Sequence, residues 1–480
     1  MSVFDGLEPK GVFSFFEAIA AIPHGSRDTK RISDYLVSFA AERGLDHVQD
    51  AMNNVIIRKP ASVGYEDAPT VILQGHMDMV CAKEEGLAFD FHNDSLKLRL
   101  DNGIISAEGT TLGGDDGIAV AFMLAILDAD DIPHPALECV FTVDEEIGML
   151  GAAGLDKSQL KGRLMLNIDS EDEGILLASC AGGVRVNLHR PIAFETYRGV
   201  PLYVAVRDLA GGHSGVEIDK GRANANKVLG RILRRISLVS ELRLESIEGG
   251  TADNAIASNA IARMLVADHN AAVREIAAIQ AELKHEYAVT DPAIRLECYY
   301  APIHEREAMD AKTTDDVIFL LQMIPDGIQR MSFDIAGLVE TSLNLGIVKT
   351  EEGCVHFASA VRSSVESEKN ALVEQIRYLA QRTGAQAELV GAYPAWEYRQ
   401  DSYLRDKMVE VFAKQYGHAP VVKAIHAGLE CGLFAGELEG LDAVSFGPDM
   451  KDIHTPKEYM DVKSVQRTWQ YLLEVLKEIR

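Results

Sequence analysis

Residues 71–80 read VILQGHMDMV, and the reading of this stretch decides the fold. Val71, Ile72 and Leu73 form a short apolar run of the kind buried on both faces of a parallel sheet, so an interior strand is predicted here. His76 and Asp78 follow at its carboxyl end. Residues two apart in an extended segment share a face, so the pair can act together: a neutral imidazole is a common metal ligand, and a carboxylate beside it can take its second N–H and fix the ring. One histidine near one aspartate is more often a structural pair. The acidic clusters that follow change the balance.

Residues 110–130, TTLGGDDGIAVAFMLAILDAD, come next. Gly113 and Gly114 permit a sharp turn, and the segment from Ile118 to Leu127 is apolar nearly all round, which predicts a helix buried between layers. Asp115 and Asp116 at its start would be ordinary helix caps in isolation. Placed after the HxD strand, at a turn on the same sheet edge, they become ligand candidates.

Residues 137–152, LECVFTVDEEIGMLGA, hold a strand-like run that ends in Asp144, Glu145 and Glu146. Three adjacent acids repel one another, and a divalent cation makes such crowding favourable. Neighbouring glutamates can divide the work, one binding metal while the other takes a proton from water. Residues 164–174, LMLNIDSEDEG, repeat the theme and deliver Asp169. Sites in open α/β sheets form outside the carboxyl ends of the strands, so these residues are expected to converge. The missing second histidine is His454, after the apolar run in LDAVSFGPDMKDIHTPKEYM. The candidate ligands are therefore divided between the two ends of the chain.

Between them the pattern changes to alternating strands and amphipathic helices without acidic strand ends. We read residues 1–185 and 394–480 as two parts of one domain and residues 186–393 as an insertion. The insertion holds LYVAVRDLAGGHSG around His213, GTADNAIASN, and VHFASAVRSSV with Arg362. A strand-turn-helix unit occurs in both of its halves, which allows an internal duplication.

At 480 residues the chain calls for two or three domains. Its 47 Lys and Arg against 73 Asp and Glu leave a net charge of -26, which argues against nucleic acid and anionic membrane surfaces as partners. No stretch is long and apolar enough to span a bilayer, and the start lacks a signal pattern, so a cytoplasmic location is the default. The six cysteines form no CxxC and are expected to be reduced, small core residues.

In this order, GHMDMV, GGDDG, TVDEEIG, NIDSE and DIHTP resemble the metal-site blocks of the dinuclear zinc peptidases that include carboxypeptidase G, peptidase T and aminoacylase-1. HAGLECG, GGHSG and ASAVRSS resemble the substrate-site blocks. With the long insertion, the likeness is greatest to the bacterial aminoacyl-histidine (Xaa-His, carnosinase-like) dipeptidases, and it spans essentially the whole chain. The resemblance implies an α/β fold, with a three-layer catalytic domain and an inserted α+β lid. It implies that Asp115 bridges two zinc ions, that His76 and Asp169 complete one site, and that Glu146 and His454 complete the other. Cobalt or manganese are possible substitutes. Asp78 would orient His76, Glu145 would be the general base, and the Asp115–Asp116 peptide bond would be cis.

In the lid, the resemblance assigns His213 to the tetrahedral intermediate and Asn254 and Arg362 to substrate binding. Gly428 would let backbone approach the ligand, and His24, His426 and Glu430 are further pocket candidates. The implied activity is hydrolysis of small peptides, Xaa-His dipeptides including β-Ala-His, by a homodimer joined through the lid. Whether His213 serves its own subunit or a second one stays open. An N-acyl-amino-acid deacylase using the same metal centre is the alternative. A non-catalytic peptide-binding relative is disfavoured, because a scaffold needs no general base.

Overall fold

The computed structural model describes residues 2–480. The chain forms two compact units, Met1–Ser179 with Tyr398–Ala424 and Leu429–Arg480, and Cys180–Glu397 with Ile425–Gly428. These boundaries lie a few residues outside 186 and 393 because the backbones of Cys180 and Trp396 exchange hydrogen bonds of 3.0 and 3.1 Å, tying the second unit's entry to its exit. Residues 425–428 join that unit because the carbonyls of Ile425 and Ala427 both accept from the Ala181 N–H at 3.1 Å.

The first unit is built on an eight-stranded sheet. Its order is Asp46–Gln49, Val55–Lys59, Leu137–Thr142, Val71–His76, Leu164–Asn167, Asp442–Ser445, Ile175–Cys180, Val421–Ile425. The four strands from Leu137–Thr142 to Asp442–Ser445 are mutually parallel. Every residue of Val71–His76 and Leu137–Thr142 is buried, as expected of strands covered on both faces. Register places His76 beside Thr142 and Gln74 beside Asn167, so these strands end together at one edge.

Ile118 to Leu127 of the Gly114–Asp128 helix are all buried. The helix packs on Lys10–Ala20, where a Cβ at Gly117 would stand 3.3 Å from the Phe16 ring. Phe122 meets Trp469 of the Val462–Glu478 helix with ring centroids 5.5 Å apart. Burial of each such aromatic side chain is worth about 1.5–3 kcal/mol, which fixes the helix between its neighbours.

The second unit carries a ten-stranded antiparallel sheet, eight strands in one row with His304–Met309 paired to Phe194–Arg207 and Gly327–Met331 paired to Val339–Glu351. From the central contact, where Gly249 pairs with Val348, the order outward on one side is Leu242–Gly249, Ala260–Val266, Phe194–Arg207, Arg295–Tyr300. On the other side it is Val339–Glu351, Cys354–Ser363, Gly182–Pro191, Gln386–Tyr393. Each side reads as the second, third, first and fourth strand of a βαββαβ unit. The first strand of the second set, Gly182–Pro191, precedes the whole of the first set.

Three cysteines, Cys139, Cys180 and Cys431, are buried as expected, but Cys81 is exposed and Cys298 and Cys354 are only partly covered. The expectation that all six are core residues fails for Cys298 and Cys354 because both lie on strands of the antiparallel sheet, whose alternate residues face away from the core. No helix among the described residues is long and apolar enough to cross a membrane.

Candidate metal centre

The parallel strand ends of the first unit bring the acidic clusters together. His76 ends its strand, Glu145 and Glu146 follow Leu137–Thr142, and Asp169 lies two residues beyond Leu164–Asn167. Asp115 stands at the start of the buried helix, and its peptide bond to Asp116 is cis. His454 arrives on the hairpin between Met450–Lys451 and Tyr459–Asp461. Two of the turns that carry candidate ligands place non-glycine residues in the left-handed region, Asp144 at φ 56° and His454 at φ 62°. Such conformations persist only where the surroundings hold them, and they cluster at functional sites.

The Asp115 carboxylate divides its two oxygens. Oδ1 lies 3.1 Å from His76 Nε2, and Oδ2 lies 3.3 Å from His454 Nε2. His454 Nε2 is also 3.0 Å from Glu146 Oε2, and His76 Nε2 is 3.9 Å from Asp169 Oδ1. Donor atoms of Asp115, Glu146 and His454 all lie within 4.8 Å of one another, as do those of His76, Glu145 and Glu146.

The orientation of His76 differs from expectation. Its Nδ1 is 2.9 Å from the backbone carbonyl of Asp78, whereas the Asp78 carboxylate is 3.6 Å away. That carboxylate instead accepts from Ser26 Oγ at 2.8 Å and from the Glu145 N–H at 3.1 Å. Asp78 thus fixes the imidazole through its main chain and ties down the loop that carries Glu145.

Two further residues shape the site, Glu458, which the sequence did not single out, and Asp116, which it offered only as a ligand candidate. The buried Glu458 carboxylate accepts the N–H groups of Leu112, Gly113, Gly114 and Asp115 at 2.7–3.3 Å. It clamps the turn that delivers Asp115 to the hairpin that delivers His454. The other is Asp116, fully buried, whose Oδ2 accepts from the His76 N–H at 3.2 Å. A Cβ at Gly75 would stand 2.5 Å from that oxygen, which is why glycine precedes the histidine.

Burial disfavours a charged imidazole at His76, yet the Asp115 and Asp78 carboxylates outweigh it and hold its pKa well above the ordinary value. Hydrogen bonds that His454 donates to the Asp115 and Glu146 carboxylates raise its pKa to about 10. Burial, then the charges of Asp115 and Glu146, push Asp169 up to about 7 against the pull of His76. Glu145 is raised well above the carboxylate range, mainly by burial, with Asp169, Glu430 and Glu146 adding to it. Buried carboxylates packed this closely call for positive charge, and Glu146 Oε1 is buried with no hydrogen-bond partner. The carboxylate and imidazole donors of this cluster fit a divalent cation.

The model of peptidase family M20/M25/M40 matches residues 72–478. The chain belongs to this family. It is 37% identical over 488 aligned positions to the cytosol non-specific dipeptidase of Escherichia coli, covering 100% of this chain and 99% of the relative. The crystal structure of aminoacylhistidine dipeptidase from Vibrio alginolyticus superimposes with a TM-score of 0.94 at 35% identity, over 99% of this chain and 98% of that one. Aminopeptidase PepT of Bacillus cereus, 17% identical, shares the fold over 98% of both chains with a TM-score of 0.56.

The other candidates from this family resemblance fall as follows. His24 and Glu430 are buried in the first unit. Glu430 Oε2 accepts from Gln74 Nε2 at 2.5 Å and from Thr142 Oγ1 at 2.7 Å, beneath the strand ends. In the second unit, His213 Nδ1 accepts the N–H groups of Gly215 and Val216 at 3.1 and 3.2 Å, which places the ring proton on Nε2. Burial and the nearby Arg362 lower its pKa, so it stays neutral. Asn254 is exposed, and its backbone carbonyl accepts from the Ser214 N–H at 2.8 Å. Arg362 donates to Tyr393 Oη at 3.2 Å, while its buried Nε has no partner. His426 Nε2 lies 2.7 Å from Ser342 Oγ, on the residue paired with Arg362. Gly428 ends the 425–428 segment of the same unit.

Proposed function

We propose that this protein is a cytosolic, zinc-dependent dipeptidase that cleaves short peptides with free termini, Xaa-His dipeptides including β-Ala-His among them. The observation that carries the reading is the Asp115 carboxylate, with one oxygen turned to His76 and the other to His454. That is the arrangement a carboxylate shared by two cations requires. Asp115 would bridge them, His76 and Asp169 would hold one, and Glu146 and His454 the other. When bound, the pair supplies Lewis-acid polarisation of the scissile carbonyl and brings the pKa of bound water down to about 7.

Glu145 takes a proton from the attacking water and returns it to the departing amine. Burial raises its pKa above the ordinary carboxylate value, the direction that helps it return the proton to the leaving group. His213, neutral with its proton on Nε2, is in the tautomer needed to donate to a developing oxyanion. Arg362 brings a planar fork with an unpartnered buried Nε, suited to the free carboxylate of a peptide's last residue. Asn254 and the backbone at Gly428 add polar contacts for the peptide. A homodimer joined through the second unit is part of this reading.

The two closely similar relatives differ in the breadth their names state, non-specific in one and aminoacylhistidine in the other. The test is hydrolysis of Ala-His, β-Ala-His, dipeptides lacking histidine and N-acetyl-amino acids, side by side, before and after chelation. The expected result is chelator-sensitive cleavage of dipeptides and little action on the N-acetyl compounds. Preference for the N-acetyl compounds would assign the centre to deacylation instead.

A further inference from the structure

We propose that the second unit holds a transition-metal site of its own, built from Cys354, His189, His356 and Glu351 on one face of its sheet. Glu351 and Cys354 are directly opposed across a turn made by Glu352 and Gly353, the glycine at φ 79°. His356 is two residues beyond Cys354, and His189 is its cross-strand partner. Opposed residues share a face of a sheet, as do residues two apart, so all four side chains rise from one patch. The intervening residues confirm the alternation. Val355 and Phe357 are buried in the core, and Arg190 pairs with Asp316 of the Ala311–Met323 helix.

The donor atoms stand close together. Cys354 Sγ is 3.9 Å from His189 Nδ1, and His356 Nδ1 is 3.8 Å from Glu351 Oε1. One donor each from His189, Glu351 and Cys354 lies within 4.8 Å of the others. Ligands of one tetrahedral zinc, at roughly 2.0–2.3 Å from the ion, are separated by about 3.3–3.8 Å, so modest side-chain adjustment closes the set.

A second observation points the same way. His356 Nε2 lies 3.3 Å from Asn187 Oδ1, an acceptor that takes the ring proton and leaves the lone pair on Nδ1, facing Glu351. A metal-ligating histidine almost always donates its other N–H in this manner. The two imidazoles stack at 4.8 Å with an interplanar angle of 4°, so His189, Glu351 and Cys354 form the preassembled set and His356 completes it by turning its ring out of the stack.

Sulfur and imidazole donors select a borderline-soft divalent ion such as Zn²⁺ or Co²⁺ over Mg²⁺ or Ca²⁺. The Cys354 thiol proton leaves to solvent as the sulfur–metal bond forms. The centre in the first unit is made of nitrogen and oxygen donors alone. A thiolate signal therefore reports the second site separately.

The test is titration of the chelator-stripped full-length protein with Co²⁺. A near-ultraviolet thiolate-to-cobalt charge-transfer band is expected in the natural protein, weakened in His189→Ala and absent in Cys354→Ser. Cys354→Ser should also hold one fewer zinc per chain after loading, with dipeptide hydrolysis unchanged. Without any substitution, added Zn²⁺ should slow iodoacetamide labelling of Cys354, mapped by peptide mass. No band in the natural protein, an equal band in Cys354→Ser, or labelling indifferent to zinc would overturn the site.

Discussion

In the first unit, His76, Glu146 and Asp169 leave neighbouring parallel strands at one edge, so residues far apart in sequence meet there without a dedicated loop. In the second unit, the antiparallel sheet sends successive strands to opposite edges, and its polar residues stand on strand faces and turns. His213 is set by a glycine-rich turn, Arg362 by a cross-strand pair with Ser342, and the Cys354 cluster by a hairpin. The difference teaches that strand direction decides what kind of site a sheet builds. Parallel strands collect buried carboxylates around a cation, and antiparallel ones display side chains on a surface. First-unit substitutions should therefore change the catalytic metal or the proton transfers, and second-unit substitutions at His213, Asn254 and Arg362 should change how the peptide and its oxyanion are held.

The sharpest break would come from Asp115→Ala. Removing the shared carboxylate should drop turnover to the level of the chelated protein and lower metal content, measured by elemental analysis after dialysis. Normal metal content in this variant would remove the basis of the comparison. Glu145→Gln should keep its metal and lose roughly 10³-fold in turnover, the upper-middle range for general acid–base catalysis. Near-normal rates would reassign the base.

Acidity tests the same edge. His76 and His454 carry raised pKa values in the cation-free protein and must give up their protons to bind metal, so affinity should fall as pH falls. The expected loss is about tenfold per pH unit for each proton displaced, read as the metal concentration that restores activity between about pH 8 and about pH 6. A flat response would mean that these imidazoles are not ligands.

Glu458→Gln halves the acceptors available to four N–H groups, and the metal affinity of the first unit should drop by about 10–100-fold, with turnover recovered at excess metal. An uncorrected loss of turnover at saturating metal would show that the clamp does more than position Asp115. The smallest effect belongs to the second unit: Arg362→Lys should raise KM for dipeptides by roughly tenfold, with kcat and metal content nearly unchanged. A change in metal content there would blur the line between the two sheets.

Much of the first unit was legible because its strands end in acids. The apolar runs before His76, Asp144 and Asp169 read as buried strands, and they are. The split ligand set was readable for the same reason, since each block carries its own chemistry. Glu458 was not, because its value lies in accepting four main-chain N–H groups, and no side-chain pattern announces a turn's unpaired amides. The orientation of His76 was half legible: the HxD spacing pointed to Asp78, while the conformation after the strand chose its carbonyl over its carboxylate. In the second unit the cysteines were read as small core residues, so the Cys354 cluster went unseen; His189 meets Cys354 only through a strand register that joins residues 165 apart in sequence.

The Gly182–Pro191 strand has a consequence for synthesis. It leaves the ribosome before both of its sheet neighbours, Cys354–Ser363 and Gln386–Tyr393, and an entire βαββαβ unit is made in between. A nascent chain must therefore carry this ribbon with both edges unmatched, exposed to wrong partners or to chaperones, until the later half of the polypeptide arrives to flank it.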